Sequence, residues 1–268
     1  MKIVDKHISN DGTSKYLVEF DDSSRVECVA LFHKRTLTAC ISSQVGCAIG
    51  CRFCATGAQG FTRNLSVSEI VGQLSLMEQD IDAKFTNVVF MGMGETLLNY
   101  DNVVSAVRSI NDSGITWKRI TVSTVGIPDR IRSLWADCKC RLALSLHAPD
   151  ENLRKSLIPN ARPLSDIMSA CRAYQSTKHN PLMIEYVLIR EVNDSDVHAE
   201  GLCSLLSGLP HVMVNLIVLN PVYGSGFMPS ARADAFKKTL VDHGFKTIIR
   251  TPKGADIDAA CGLLKNKA

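Results

Sequence analysis

The sequence lacks any long apolar run. No segment approaches the roughly 18 uninterrupted apolar residues that a membrane-spanning helix needs. The opening residues, MKIVDKHISNDGTSKYLVEF, place charged and polar side chains where a signal peptide carries its apolar stretch. Low-complexity tracts and internal repeats are missing too. These absences exclude a solenoid, and they predict a cytoplasmic protein with no membrane partner.

A strong charge of one sign is also missing, since the formal net charge is only +3. That value permits a nucleic-acid partner but does not by itself indicate one, because dedicated nucleic-acid binders are usually more basic. Hydrophobic residues make up 46% and charged residues 21% of the 268 positions, so the chain can bury a substantial core. The length is typical of a single α/β barrel.

Cysteine, by contrast, is abundant, with ten in the chain. Without an export signal, this abundance points to metal binding or catalysis rather than to a disulfide framework. Five cysteines lie among apolar residues or lead into an apolar run, and we expect them to be buried in the core: Cys28, Cys138, Cys140, Cys171 and Cys203. The remaining five require a chemical explanation.

The chain opens with three short segments that alternate in the manner of β-strands, at residues 3–8, 16–20 and 26–31. From about residue 36, near-continuous apolar runs alternate with segments of helical periodicity, which indicates parallel strands covered by helices on both faces. About six such strand–helix units follow. We therefore predict an α/β fold, a partial (β/α)6 barrel over residues 36–268 preceded by a small β extension over residues 1–35.

In folds of this class the chemistry collects at the carboxyl ends of the strands. Distinctive stretches fall there: GMGE, STVG, SLH and NP, together with the loop GCAIGCRFCATG. That loop holds Cys47, Cys51 and Cys54 in a C-x3-C-x2-C spacing. Three thiolates without a local fourth suit a [4Fe–4S] cluster with one iron open to a non-protein ligand. The alternative is a zinc knuckle that borrows a distant His or Cys as its fourth ligand.

Several stretches carry a family resemblance. The cysteine spacing, with Phe53 before the last cysteine, and GMGE at residues 92–95 resemble the radical S-adenosylmethionine (SAM) superfamily. The stretches that resemble the RlmN/Cfr family of class A radical methyltransferases are CISSQVGCAIGCRFCATGAQGFTRNLSVSEIVGQ, MGMGETLLNYDNV, ITVSTVGI, LSLHAP, NLIVLNP and DIDAACG. The resemblance runs in consistent order from about residue 9 to residue 264. It implies methylation of an adenosine base in ribosomal RNA and, in some members, in tRNA.

The resemblance also implies a mechanism. Carbons 2 and 8 of adenine are sp² carbons of low nucleophilicity, so the family first places a methyl group on a protein cysteine and then activates that group by radical chemistry. By position, Cys261 resembles the methyl-carrying cysteine, and Cys40 resembles the cysteine that resolves the protein–RNA adduct by forming a disulfide. Glu27 resembles the family's proton acceptor. Carbon 2 is favoured over carbon 8 because QGFTRNLSVSEIVGQ and GETLLNYDNV are nearer to the carbon-2 branch.

The implied cofactors are SAM and a [4Fe–4S] cluster that is held by Cys47, Cys51 and Cys54. The residues that match the family's SAM contacts are Gly94, Glu95, Ser123, Ser145, Leu146, His147 and Asn220. The implied partners are an RNA substrate and an electron donor such as flavodoxin, and we expect a monomer.

Two departures from the family pattern bear on these expectations. Thr96 replaces the usual proline after GMGE, a change that the turn should tolerate because Thr can adopt the same φ. The chain also begins almost directly at the β extension, where longer members carry a helical domain implicated in RNA handling, so we expect a short form. Two alternatives stay open: the same chemistry on a free nucleotide or other small molecule, and a non-catalytic iron–sulfur protein that binds RNA.

Overall fold

A ten-stranded sheet forms the centre of the molecule in the computed structural model, which describes residues 1–265. A separate two-stranded hairpin consists of β5 (Gln44–Gly46) and β6 (Phe61–Asn64). The strands of the large sheet, in spatial order, are β1 (Lys2–Ile8), β2 (Ser14–Glu19), β3 (Arg25–His33), β4 (Thr36–Cys40), β7 (Asn87–Phe90), β8 (Ile120–Thr124), β9 (Arg141–Ser145), β10 (Leu182–Leu188), β11 (Val212–Val218) and β12 (Lys246–Arg250).

Strand direction changes once across the large sheet. Strands β1 to β4 pair antiparallel, and every later pair, from β4–β7 to β11–β12, is parallel. Seven parallel strands joined by six crossovers confirm the predicted α/β fold. The sheet is open, with β1 and β12 at its edges. The predicted division between residues 1–35 and 36–268 stays a prediction, and its last three residues lie outside the described part of the chain.

Helices fill the crossovers, as the periodicity predicts. They are α1 (Ala55–Ala58), α2 (Val67–Ile81), α3 (Tyr100–Asp112), α4 (Pro128–Asp137), α5 (Glu151–Leu157), α6 (Leu164–Ala173), α7 (Asp196–Leu206) and α8 (Ala233–Asp242). Helix α2 begins after Ser66, whose side chain accepts from the Glu69 N–H while the Glu69 side chain accepts from the Ser66 N–H. This capping box explains why the helix starts there. Helix α2 buries one apolar face against the sheet.

The short elements escape the sequence pattern. Hairpin β5–β6 and helices α1 and α5 are three to seven residues long, too short for a clear period, and helix α4 has few apolar residues to show one. Pro128 at the start of α4 suits the first position of a helix, yet only Ile131 and Leu134 of that helix are buried. These elements nevertheless matter, because β5, β6 and α1 frame the cysteine-rich loop.

The core lies between the sheet and the helices. The cysteines predicted for it are confirmed as buried: Cys28, Cys138, Cys140, Cys171 and Cys203. No helix within residues 1–265 is long and apolar enough to cross a membrane.

A buried ion pair sits within the antiparallel strands. Lys15 on β2 lies 3.0 Å from the carboxylate of Glu27 on β3, and both side chains are 3% exposed. The pair also reaches the end of the chain, because Lys15 Nζ donates to the Asp258 carbonyl at 3.4 Å and Glu27 Oε2 accepts from the Lys265 N–H at 2.7 Å. The first strands and the last described residues are therefore joined by one charged cluster.

Lys15→Met should destabilise the fold, because it leaves the Glu27 carboxylate buried without its cation. Breaking a buried pair from one side costs about 3–5 kcal/mol, and we expect that loss in the free energy of unfolding measured with urea. The double variant Lys15→Met/Glu27→Gln should lose less, since no buried charge remains. The exposed pair Lys238–Asp242 is the control, and Lys238→Met should cost about 0.5 kcal/mol or less. Equal losses for the two lysine variants would contradict the buried pair's role.

Candidate functional site

A cavity opens where the parallel strands end. It encloses about 1090 Å³, its open mouth included. Most of the predicted site residues line it: Cys47, Cys51, Cys54, Gly94, Glu95, Ser123, Ser145, His147, Asn220 and Cys261. They meet because the carboxyl ends of neighbouring parallel strands lie at one edge of a sheet. The structure thus brings together residues that the sequence spreads from position 47 to position 261.

The cysteine-rich loop is held closed at its base. Hairpin β5–β6 brings Gly46 against Gly60, and a Cβ on Gly46 would lie 2.0 Å from the Gly60 carbonyl oxygen. The Cys47 N–H donates to that same oxygen at 2.7 Å. Only glycine fits Gly46, which also has a φ of +74°. The loop can therefore turn its three thiols toward one cavity.

The thiols fit a cluster by their chemistry. Burial raises the pKa of Cys47 to about 11 and raises the pKa of Cys51 well above its usual range, so both are protonated as free thiols. Metal coordination removes such protons. Within residues 1–265, no three His, Cys, Asp or Glu side chains converge as a single metal ion would require. A set of three thiols facing one half-buried cavity suits an iron–sulfur cluster.

Glu95 follows Gly94 at the end of β7 and is almost completely buried. Its carboxylate accepts hydrogen bonds from Thr124 Oγ1 at 2.6 Å, from the Val125 N–H at 2.9 Å and from the Leu97 N–H at 3.0 Å. Burial raises the pKa of this carboxyl, and the three hydrogen bonds act in the opposite direction. These contacts, together with the Glu95 N–H that donates to Gln44 Oε1 at 2.8 Å, hold Glu95 against the next strand at the cavity lining.

Strands β8 and β9 contribute two serines and a histidine. Ser123 Oγ and Ser145 Oγ are 3.4 Å apart on neighbouring strands. His147 has a φ of +62°, its Nδ1 accepts from the Val187 N–H at 3.1 Å, and its ring meets Phe53 edge-on at 5.0 Å between centroids. Burial, together with the nearby Arg154 cation, lowers the pKa of His147 to about 3. The ring is therefore neutral and serves as an acceptor inside the protein.

Cys261 lies in the segment that follows β12 and faces two cavities. It lines the large cavity and also a second, smaller cavity. Three contacts hold this segment: Asn220 Nδ2 donates to the Cys261 carbonyl at 3.1 Å, the Ala55 N–H donates to Gly262 at 2.7 Å, and Thr56 Oγ1 donates to Leu264 at 2.6 Å. The donors belong to the end of β11 and to helix α1, next to the cysteine-rich loop.

Cys40 lines the second cavity from the end of β4, beside Cys261 and Arg250. It is buried, and burial raises its pKa to about 12, with the neighbouring Cys261 acting in the same direction and Arg250 opposing. Burial likewise raises the pKa of Cys261, and Arg250 again opposes the shift. The two cysteines therefore share one electrostatic environment, although the sequence places them near opposite ends of the chain.

Two predicted site residues lie behind the cavity walls in the described structure. The Leu146 side chain is buried, while its N–H donates to Glu185 and its carbonyl accepts from Arg154. Glu27 lines neither cavity. Its two carboxylate oxygens contact Lys15 Nζ and the Lys265 N–H instead. Its role as proton acceptor stays a prediction.

Glu185 is a carboxyl group that the sequence interpretation missed. It lies on β10, lines the large cavity, is 4% exposed and accepts from Asn215 Nδ2 at 2.6 Å. Burial raises its pKa, and the guanidinium of Arg250, which lines both cavities, opposes that shift. A single charged residue within the apolar strand PLMIEYVLI is the signal that could have identified it, because such strands are otherwise apolar on both faces.

Comparison with known proteins identifies the class. The family model of the radical SAM superfamily matches residues 41–200. A radical SAM methyltransferase from Sphaerobacter thermophilus, known from a crystal structure, is 40% identical with a TM-score of 0.92, over 98% of this chain and 80% of that one. A spore photoproduct lyase mutant, 10% identical with a TM-score of 0.58 over 79% of this chain and 75% of that one, shares the fold alone. The fold and the site define a radical SAM enzyme.

Curated relatives narrow the class to a family. A probable dual-specificity RNA methyltransferase RlmN from Thermotoga neapolitana is 46% identical, in an alignment that covers 100% of this chain and 80% of the relative. The dual-specificity RNA methyltransferase RlmN from Alcanivorax borkumensis is 45% identical, in an alignment that covers 98% of this chain and 73% of that protein. The chain belongs to the RlmN family of radical SAM methyltransferases, which use a [4Fe–4S] cluster and SAM.

The neutral His147 should make stability depend on pH. Its pKa is about 3 in the folded protein and 6.5 in the ordinary case, so the unfolded state gains a proton below about pH 6.5 while the folded state does not. Stability is therefore complete above pH 6.5 and is lost as the pH falls. His147→Asn keeps an acceptor for Val187 but cannot titrate. Between pH 6.5 and 5, urea unfolding of the wild type should lose about 1.6 kcal/mol more than that of the variant; equal losses would contradict a neutral His147.

Gly94→Ala should disturb the SAM site. Gly94 has a φ of +104°, and a Cβ there would lie 2.6 Å from Gln44 Cβ and 2.9 Å from the Gln44 backbone nitrogen. Gly114→Ala is the matched control, because Gly114 has a φ of +105° and open space around it. Both variants carry backbone strain of about 1–3 kcal/mol. Only Gly94→Ala should also weaken SAM binding in anaerobic calorimetry, by roughly tenfold or more; equal affinities in the two variants would argue against the assigned site.

Proposed function

We propose that this protein methylates an adenosine base of RNA, at carbon 2, through a methyl group carried on Cys261. One observation supports the proposal most strongly. Cys261 stands between the cavity lined by the three loop cysteines and the cavity lined by Cys40. A group attached to its sulfur can be loaded and activated on one side and released by a thiol on the other.

Some residues of the chain would bind the cofactors, and others would react. Cys47, Cys51 and Cys54 would hold the cluster, and Gly94, Glu95, Ser123, Ser145, His147 and Asn220 would surround SAM. Leu146 would contribute through its backbone. When bound, the cluster and SAM supply reductive, hydrogen-abstracting chemistry within the cavity. The protein excludes water from this chemistry by burying the strand ends and the loop.

Cys261 acts first as a nucleophile. Its sulfur bonds to the methyl carbon of a SAM sulfonium, the bond between that carbon and the sulfonium breaks, and the thiol proton leaves. Arg250 favours this step, because a guanidinium close to the sulfur stabilises the thiolate. The product is an S-methyl group that projects into the cavity. Removal of a hydrogen atom from it would let its carbon bond to the ring carbon, and the adduct would then lose the ring proton and one electron, which the bound cluster would accept.

Cys40 then releases the product. The Cys40 thiolate attacks the sulfur of Cys261, and the bond between that sulfur and the methylene carbon breaks. The electron pair goes to the carbon, which takes up a proton and becomes the methyl group of the base. A Cys40–Cys261 disulfide remains, and a reductant must restore it before the next cycle. Glu27, in this proposal, accepts the proton that leaves the ring carbon, after release from its contacts with Lys15 and Lys265.

RNA as the substrate is supported by the relatives, which are named dual-specificity RNA methyltransferases. Carbon 2 is supported by the likeness of the stretches after the cysteine-rich loop and after GMGE to the carbon-2 branch. The electron donor is proposed to be of the flavodoxin type, and the enzyme is proposed to act as a monomer in the cytoplasm.

Cys40→Ala should trap RNA on the protein, because the adduct forms on Cys261 and cannot be resolved. Denaturing gels should show a band shifted by the RNA, and mass spectrometry should place the link on Cys261. The double variant Cys40→Ala/Cys261→Ala should show no such band.

Cys203→Ala, in a buried cysteine on α7, is the control and should still give 2-methyladenosine in nucleoside mass spectrometry. Cys261→Ala should give none while still assembling the cluster. Methylated RNA from Cys261→Ala would refute the proposed mechanism, and 8-methyladenosine from the wild type would refute carbon 2. Equal turnover of mononucleotides would refute RNA as the required substrate.

A further inference from the structure

Arg154 is a charged residue that the proposed reaction leaves without a role. It lies on α5, is 1% exposed and has one of the largest fully buried side chains of the protein. A guanidinium cannot lose its charge in a protein, so this cation stays charged inside the fold. Burying such an ion without a partner is costly.

The contacts of Arg154 are all with neutral carbonyl oxygens. It donates to Leu146 at 3.1 Å, to Val125, to Ser145 at 3.4 Å and to Arg162 at 3.4 Å. Among residues 1–265 no carboxylate forms an ion pair with it. The carbonyls satisfy its hydrogen bonds, but they do not neutralise its charge.

The acidic groups that face Arg154 are few. Glu151, one turn earlier on α5, is exposed and accepts from the Leu164 N–H at 2.6 Å, so water screens its charge. Glu95 is buried and also faces the guanidinium, but it forms neither a hydrogen bond nor an ion pair with Arg154 within the described residues. The remaining groups are two thiols, Cys171, which is buried on α6, and Cys51 of the cysteine-rich loop.

Helix α5 also packs directly beneath the cysteine-rich loop. The Arg52 N–H donates to the Leu157 carbonyl at 3.0 Å, and Asn160 Nδ2 donates to the Ala48 carbonyl at 2.9 Å. Leu153 and Leu157 share an apolar cluster with the loop cysteines. The helix that carries the buried cation is thus built onto the loop that would carry the cluster.

We propose that Arg154 supplies the buried positive charge that offsets the negative charge of the cluster with its three thiolates, and that it stabilises the reduced cluster most. The inference rests on the proposed ligation by Cys47, Cys51 and Cys54. A cluster held by three thiolates is anionic, and each added electron increases its charge. Net charge and burial are among the factors that set cluster potentials, so a fixed cation on the helix that packs against the cysteine-rich loop makes reduction easier.

The test uses the anaerobically reconstituted holoenzyme and three variants. Arg154→Gln removes the charge, Arg154→Lys keeps it with fewer hydrogen bonds, and Arg52→Gln removes an equal charge from an exposed position of the same loop. Two readouts apply: the loss of iron to a chelator from oxidised and from reduced protein, and the midpoint potential followed by electron paramagnetic resonance.

Arg154→Gln should bind the cluster about 10- to 100-fold more weakly. The loss of affinity should be larger for the reduced cluster than for the oxidised cluster. The midpoint potential should then fall by about 59 mV for each tenfold difference between these two losses of affinity. Arg154→Lys and Arg52→Gln should stay close to the wild type, the first because the charge remains and the second because water screens the lost charge.

Other outcomes would overturn the inference. If Arg154→Gln and Arg52→Gln give the same iron loss and the same midpoint potential, the buried charge does not act on the cluster. If Arg154→Lys weakens cluster binding as much as Arg154→Gln does, the effect belongs to the carbonyl contacts and not to the charge. If circular dichroism shows that the glutamine variant does not fold, Arg154→Met, which keeps an unbranched apolar stem, takes its place with the same outcomes. A wild type that assembles no cluster, or Cys51→Ala that retains one, would instead refute the proposed ligands.

Discussion

The position of Cys261 depends on the buried ion pair between Lys15 and Glu27. Lys15 holds the Asp258 carbonyl and Glu27 holds the Lys265 N–H, so the pair fixes the segment on both sides of Cys261. A charged pair this deeply buried is a poor source of net stability, because desolvation offsets most of the attraction. Its value here is geometric specificity. It permits one arrangement of a segment that has no helix or sheet ladder of its own around the cysteine.

A second set of hydrogen bonds joins the segment around Cys261 to the end of β11 and to helix α1. Asn220 follows β11, and Ala55 and Thr56 lie in the short helix after the cysteine-rich loop; all three bond to the segment's carbonyls. The segment is thus bonded to the antiparallel strands on one side and to the lining of the large cavity on the other. This explains how one sulfur lines two cavities and why the antiparallel strands and the parallel strands both contribute to the site.

The sequence predicts more of the fold than of this junction. Apolar runs and the Ser66 capping box identify the parallel strands and α2, and strand order places GMGE, STVG and SLH at one edge. Helix α5 and hairpin β5–β6 carry too few residues to show a period, and helix α4 has few apolar residues to show one. The meeting of Cys40 and Cys261 has no local signal at all, because it depends on the tertiary contacts of Lys15 and Glu27. Only resemblance to the RlmN/Cfr family indicated it beforehand.

The electrostatics of the site follow from the same burial that shapes it. Burial raises the pKa of the thiols Cys47 and Cys51 and of the carboxyls Glu95 and Glu185, and it keeps His147 neutral. Proton loss from the thiols and carboxyls therefore requires a compensating positive charge, which only a bound metal or a fixed cation supplies in such surroundings. Arg250 lines the cavity that Cys40 and Cys261 share, and Arg154 lies on the helix that packs against the cysteine-rich loop. In the proposed reaction, the first cation would balance the charge of the thiol chemistry and the second would balance that of the cluster.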